Sequence, residues 1–417
     1  MNSIVNIDLS CSIAMKAYLS EQQQVFEERF FDTSIETLQN QRAILFDELL
    51  IGLWKHYQLD TIENLSLNAV GGYGRQTLHP KSDIDICILF DKSIAKNQEA
   101  NLTAFLTRLW DLGVDIGHAV RSMKENINAA KNDITIATNL LDIRTLVGQP
   151  SHAQHMLEVL YNNSLWNSEK FCQHKLQEQD DRHDKAKNTA LYLEPNIKNN
   201  PGGMRDVQTI IWIARKHYNV PDVQSLKSLG VLKSDEYYEL IESYDFICRI
   251  RWALHMVSNR PEEKLLFDYQ LEVAKYMKFG YGDNAQLAVE KMMRQLFRAM
   301  TRIQELNQMM IGVFKREVFS GNKNESTSID LGDGFILANN MIKANFDEIF
   351  LNKANVLQLF KFIAEYDHIR DIAPETLRLI RQTRRRLLGE LQDYQECRKV
   401  FISIIKHKNG LKRAFSL

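Results

Sequence analysis

One stretch, Leu65 to Phe90, constrains the fold of this 417-residue chain more than any other. It opens with the apolar run Leu65 to Val70, which reads as a short buried strand closed by glycines. Gly71 and Gly72 carry no side chain, so backbone N–H groups there can come close to a phosphate. Pro80 stops whatever short helix follows. Asp83-Ile-Asp85-Ile-Cys-Ile-Leu-Phe90 then reads as a second strand, with β-branched residues and an apolar tail. Side chains alternate along a strand, so Asp83 and Asp85 share a face. Two carboxylates pointing one way are costly unless they hold a cation. Hard, oxygen-preferring Mg²⁺ suits them, with phosphate oxygens completing its shell, and Mn²⁺ can take its place. A bland glycine turn with solvent-facing aspartates fits less well, because spacing, glycine pair and acid pair coincide. A dinucleotide fingerprint fits poorly too: Gly72-x-Gly74 lacks a third glycine, and Pro80 truncates the helix it needs.

Gly71-Gly72, ten residues from Tyr73 to Ser82, then Asp83-Ile-Asp85 on a strand resembles the signature of the nucleotidyltransferase fold shared with DNA polymerase β. The fuller string, Gly71-Gly-Tyr-Gly-Arg75 through His79-Pro-Lys-Ser-Asp-Ile-Asp85, more narrowly resembles the PII uridylyltransferase/uridylyl-removing enzymes of bacterial nitrogen regulation. The resemblance implies an α+β chain: a polymerase-β-like nucleotidyltransferase domain with a small mixed sheet, followed by an all-helical domain. The expected divisions are a helical segment over 1–60, the catalytic domain over 61–165, a helical substrate or partner domain over 166–320, and a linker with a mostly helical segment over 321–417. Family enzymes continue into an HD hydrolase domain, which removes uridylyl groups, and paired ACT domains, which sense glutamine. Neither is recognisable here, so the chain reads as a truncated or shortened relative from which those two activities are not expected.

The resemblance also nominates site residues. Asp115, a lone acid in Val114-Asp115-Ile116 on an expected strand, matches the fold's third carboxylate; Asp111 competes but sits in a helical context. Asp83, Asp85 and Asp115 would be catalytic and hold the metal. Nucleotidyl transfer requires in-line attack at the α-phosphorus, with attacking and leaving oxygens stabilised by metal ions. Gly71, Gly72 and Ser82 would cradle phosphate, aided by Arg75 and by Arg121, whose planar fork suits phosphate oxygens. His118, beside Arg121 in Gly-His-Ala-Val-Arg, would face substrate. Asn139 and Asp142 would shape the nucleotide pocket, although Asp142 and Arg144 equally suit local structural pairs.

Pro201-Gly202-Gly203 forces a turn that opens a helix through Trp212, and a glycine-rich helix N-terminus favours anions. Lys198 and Arg205 add positive charge, and Arg205 and Asp206 are expected to make contacts across the cleft. Residues from Ser164 to Lys187 are polar and read as a surface helix or connector. Its His183-Asp184 pair lacks the further ligands of an HD metal site. A long helix over Ser234–Ser258 aims Arg251 inward, either at the cleft or at a core carboxylate. Arg294, Arg298 and Arg302 form a row that reads as a solvated face, as does the basic string Arg378 to Arg386. Gly321 to Ser328 reads as a linker, with a small hairpin after it.

A net charge of −1 gives no pull toward nucleic acid or anionic lipid, and no apolar run approaches membrane-spanning length. Five scattered cysteines without a CxxC pair suit reduced thiols, hence a cytoplasmic protein. The reading is a Mg²⁺-dependent transferase moving UMP from UTP to a tyrosine of a PII signalling protein, with no nucleic-acid or membrane partner. The alternatives are a protein adenylyltransferase of the glutamine synthetase type, and a nucleotide- or partner-binding module without turnover.

Overall fold

The computed structural model describes residues 7–91, 93–162, 165–186, 192–280, 285–319, 328–386, 390–408 and 410–414. Two compact units divide the chain, Met1–Asn307 and Gln308–Leu417. The first begins with helices α1 (Ser12–Glu28) and α2 (Ile35–His56), the latter started by Ser34, whose hydroxyl accepts the Thr37 amide. Next come β1 (Leu65–Ala69), the one-turn helix α3 (Gly71–Gly74), β2 (Ile84–Phe90), α4 (Lys96–Trp110) and β3 (Ile116–Ser122). The short helix ends at Gly74, with Gln76 in the left-handed region (φ 60°), so the turn and not Pro80 stops it. Helices α5 (Met123–Asn132) and α6 (Ile134–Leu140) lead into β4 (Arg144–Gly148).

These strands form a sheet of order β3-β2-β1-β4, in which β1 is antiparallel to β2 and β4 while β2 is parallel to β3. The alternation read from the sequence sorts its two faces. Leu67 and Ala69 of β1 and Ile84, Ile86 and Ile88 of β2 pack with Phe46 and Trp54 of α2 and Phe105 of α4. Cys87 and Leu89 point the other way, into a core shared with Leu140, Phe171 and Met156 of α7 (Pro150–Tyr161). On this second face Ser66 bonds His152 Nδ1 (2.8 Å), and His152 Nε2 bonds Asp91 (3.1 Å). Ser66 is fully buried, so this Ser–His–Asp chain is a closed structural network and offers no nucleophile.

Five helices and the start of a sixth complete the first unit: α8 (Ser168–Lys185), α9 (Met204–Tyr218), α10 (Val223–Ser228), α11 (Ser234–Ser258), α12 (Phe267–Tyr276) and α13 (Ala285–Phe319), inside which the unit boundary falls. The polar α8 is not simply a surface connector. Phe171, Cys172, Lys175, Leu176 and Gln179 are buried along one side: Phe171 joins the second-face core, and Gln179 exchanges hydrogen bonds with Asn307 (2.7 and 3.2 Å). On α13, Arg294 and Arg298 are exposed, while Arg302 approaches Glu239 (3.5 Å) and Glu242 (3.6 Å) of α11.

In the second unit the expected mostly helical segment contains a sheet. Strands β5 (Ile329–Gly332), β6 (Phe335–Ala338) and β7 (Met341–Ala344) form an antiparallel meander. After α14 (Ala354–Glu365), β8 (Asp371–Ile372) joins β7 in parallel. Strands of two to four residues are too short for period-2 alternation to register. Phe335, Ile342, Phe350 and Phe362 form the core against α14, and α15 (Pro374–Arg386), α16 (Gln395–Lys406) and α17 (Gly410–Ala414) follow. Most of the expected linker, residues 321–327, lies outside the described residues. None of the five cysteines is in a disulfide, and no described helix is long and apolar enough to cross a membrane.

Trp54 is fully buried and meets Phe105 edge-on, with ring centroids 5.3 Å apart. Trp54→Ala leaves a cavity between α2 and α4 and should lower unfolding free energy by about 3–5 kcal/mol, checked by urea denaturation followed by circular dichroism.

Candidate active site

The site grows from the register of β2 on β3. Ile84 pairs with Ile116 and Asp85 with Gly117, and the Ile84 amide donates to the Asp115 carbonyl (2.9 Å). Asp115 thus stands opposite Asp83, one residue ahead of the strand expected to contain it. In a parallel pair, opposed residues point to the same face, so Asp83, Asp85 and Asp115 share one. A Cβ on Gly117 would stand 2.3 Å from Asp85 Oδ1, so any side chain there would displace that carboxylate. Gly71, held at φ 57°, brings the turn after β1 against the same carboxylate, its would-be Cβ 3.5 Å from Asp85 Oδ2 and from Asn139 Oδ1. Burial, then the negative charges of Asp83 and Asp115, push the Asp85 carboxyl up to about 6, against the pull of Lys198 and Arg75.

Beside the acids lies a cavity of about 270 Å³. Gly72, Arg75, Ser82, Asn139, Lys198 and Arg205 line it together with Asp83 and Asp85. Lining residues not nominated from the sequence include Lys175 and Glu178 of the supposed connector α8 and Gln208 and Trp212 of α9, and Arg251 of α11 lines the cavity as well. Arg251 resolves its two alternatives by meeting both. Its Nε bonds Glu263 (2.8 Å), and its Nη1 donates to His79 Nδ1 (2.8 Å) and Ser82 Oγ (3.3 Å). Three cations surround the buried Trp212 indole: Lys175 Nζ at 4.4 Å, Arg205 at 5.3 Å and Arg75 at 5.6 Å from a ring centroid. Burial lowers the pKa values of Lys175, Lys198 and Arg205, the sign of desolvated positive charge.

Two nominated residues lie elsewhere. His118 pairs with Ile86 and so faces the opposite side of the sheet, where its ring lies 6.2 Å from Trp110. Arg121 is on the acid face but pairs with Leu89, about 13 Å along β3 from Gly117, where it meets Asn126 (3.4 Å). The Pro-Gly-Gly turn is not an anion site either. Asp206 is wholly buried and accepts the Gly202 amide (2.7 Å), Arg182 (2.8 Å) and His183 (2.9 Å), so it anchors the turn instead of reaching across the cleft. The amides of Gly203, Met204 and Arg205 are bonded to Asn200, Ile197 and Lys198 carbonyls. Asp142 is likewise structural: its carboxylate binds Arg75, Arg215 (2.5 Å) and the Trp212 indole N–H (3.3 Å).

Among the described residues no three His, Cys, Asp or Glu side chains are gathered closely enough to hold a metal ion on their own. The donor set nonetheless fits Mg²⁺ in its usual shell of one or two carboxylates plus phosphate oxygens, with Asp85 crowded by like charge on the open side of a cationic cavity.

This mixed sheet, with an acid pair on the strand after a glycine turn, defines a nucleotidyltransferase domain, and residues 57–136 match the family model of that description. Residues 170–311 match the model described as GlnD PII-uridylyltransferase, and residues 335–417 that of the uridylyltransferase GlnD third domain. The chain belongs to the GlnD uridylyltransferase family. It is similar to the bifunctional uridylyltransferase/uridylyl-removing enzymes of Pseudoalteromonas translucida (41% identity over 93% of this chain) and Idiomarina loihiensis (39% over 98%). That of Vibrio cholerae is 36% identical over 97%. The chain spans less than half the length of these relatives, the matches covering 44%, 46% and 46% of them.

Replacing Asp142 by Asn leaves two guanidinium groups without their shared carboxylate. The expected loss is about 3–5 kcal/mol of unfolding free energy, measured by urea denaturation.

Proposed function

We propose that this chain is a metal-dependent nucleotidyltransferase module that moves UMP from UTP to a tyrosine hydroxyl of a PII-type signalling protein. The observation that carries this reading is the juxtaposition of an acid face with a small cavity lined by Arg75, Lys175, Lys198, Arg205 and Arg251. Those five cations suit the negative charge of a triphosphate and of the pyrophosphate that leaves. Names borne by the relatives supply the uridylyl group and the PII acceptor.

The acceptor hydroxyl oxygen forms a bond to the α-phosphorus while the bond to the bridging oxygen of pyrophosphate breaks and that oxygen keeps the electron pair. The hydroxyl proton passes to Asp115, which is exposed and borders the open groove, whereas Asp85 is half-buried. Asp83 and Asp85 would hold Mg²⁺, which would supply Lewis acidity to the phosphate oxygens. Arg251, fixed by Glu263 and His79, is oriented toward Ser82 and the cavity, so its charge is available without reorganisation.

The test is transfer of label from UTP or ATP, in parallel, to a purified PII protein with Mg²⁺. Label from UTP is expected, falling about 10³-fold in Asp85→Ala, since a metal contributes several kcal/mol to such a transition state. Label from ATP alone would replace uridylyl by adenylyl transfer, and undiminished transfer by Asp85→Ala would remove the acid pair from the mechanism. Arg251→Gln should weaken UTP binding about 10- to 100-fold, the range of a charged hydrogen bond, while Arg121→Ala leaves it unchanged; isothermal titration distinguishes them.

A further inference from the structure

The three carboxylates do not all face the same space. Asp83 and Asp85 line the small cationic cavity, whereas Asp115 lines a second, open groove of about 800 Å³, and Ser82 borders both. This groove runs between α1, the Leu112–Asp115 turn after α4, and the end of α11. Its floor is tied down. Arg42 is buried and donates to the carbonyls of His79 (3.1 Å) and Pro80 (2.5 Å) and to Gln23 (2.9 Å), and Gln23 in turn reaches Met256 Sδ (3.1 Å). The Lys81 amide donates to His255 Nδ1 (3.3 Å). His255 stays a neutral acceptor there, because burial, then the charges of Arg251, Lys198 and Arg42, lower its pKa to about 2.

In-line transfer needs the nucleotide on one side of the metal-binding acids and the attacking hydroxyl on another. The geometry points to the groove between α1 and the end of α11 as the docking site of the acceptor, an extended, hydroxyl-bearing segment of a partner protein. This rests on the transferase reading and adds to it the place and chemistry of the acceptor. Size supports it: the volume lies in the range of about 300–1,000 Å³ for ligand sites, and it is about three times that of the cationic cavity. Its chemistry is mixed, with Leu19, Phe46, Val114 and Pro261 forming apolar walls. Its charged lining is mixed: Lys16 and Lys81 stand with Glu27 and Asp115, while Arg42 is buried against backbone carbonyls and Arg260 pairs with Glu262 (2.6 Å). Asp115 and Ser82 both line the groove, and Ser82 also lines the cationic cavity, so an acceptor hydroxyl there has a carboxylate to take its proton.

Two substitutions on the exposed side of α1 test the assignment, Ser20→Trp to fill the groove and Lys16→Glu to reverse one of its charges. Each is assayed in the full chain with purified PII protein, Mg²⁺ and labelled UTP, beside wild type and Asp85→Ala. UTP affinity is measured separately by titration, and circular dichroism checks that the variants fold. The expected result is a KM for PII raised 10-fold or more with UTP affinity unchanged. Unaltered PII kinetics in both folded variants, alongside an active wild type, would overturn the groove while leaving the transferase reading intact. A parallel loss of UTP affinity would overturn it too, because the groove would then belong to the nucleotide site. Label on the 3′-hydroxyl of an added oligoribonucleotide, or on a second copy of this chain, in place of PII would overturn the occupant. A wild type that labels nothing would overturn the transferase reading and the inference with it.

Discussion

The buried carboxylate of Asp142 joins the glycine turn of the sheet to the helix that walls the cavity. It sits just after α6 and binds Arg75 from the turn, Arg215 from α9 and the indole N–H of Trp212. Burying a carboxylate is costly in isolation, and two guanidinium groups with a neutral donor offset that cost only in this geometry. Through Trp212 the constraint propagates further, because Lys175, Arg205 and Arg75 all lie within reach of the indole. One acid, itself outside the chemistry, therefore sets where most of the cavity's positive charge stands.

A second buried acid performs the same task for the turn that opens α9. Asp206 accepts the Gly202 amide, Arg182 and His183, and Asn307 reaches its backbone carbonyl (3.1 Å). The cavity between them gathers more cations than acids: Lys175 pairs with Glu178 (2.5 Å), while Lys198 and Arg251 share Glu263 (3.4 and 2.5 Å). Burial disfavours the charged forms of Lys175, Lys198 and Arg205 at one end and of Asp85 at the other. An anion among the cations and a cation between the acids relieve both, and preorganised charge of this kind is what stabilises phosphoryl-type transition states.

Much of this was legible beforehand where the signal was local. The paired strands, the shared face of Asp83 and Asp85, the matching of Asp115 and the long helix Ser234–Ser258 all follow from periodicity, spacing or a motif read along a few residues. His118 and Arg121 went astray for a different reason. Both lie in a string that resembles the family, but face and depth depend on the register of β3 against β2, which no local pattern states. Lys175 was hidden inside a strongly polar helix, where a lysine is ordinarily a solvated residue. Of the second sheet only the β5–β6 hairpin was expected, from its Gly-Asp-Gly turn; β7 and β8 are too short to show an alternation.

By itself, the sequence determined the strand–glycine turn–strand element, its acid pair and the chain's place in a family, since each is a property of neighbours along the backbone. Only the tertiary structure decided which cations converge on those acids. Arg75, Lys175, Lys198, Arg205 and Arg251 come from segments up to 176 positions apart, and Asp142, Glu178 and Glu263 pair with four of them. The same holds for the division of the carboxylates between cavity and groove. Long-range ion pairs and strand register depend on closing large loops of chain, and that information is distributed over the whole unit and not written at any one position.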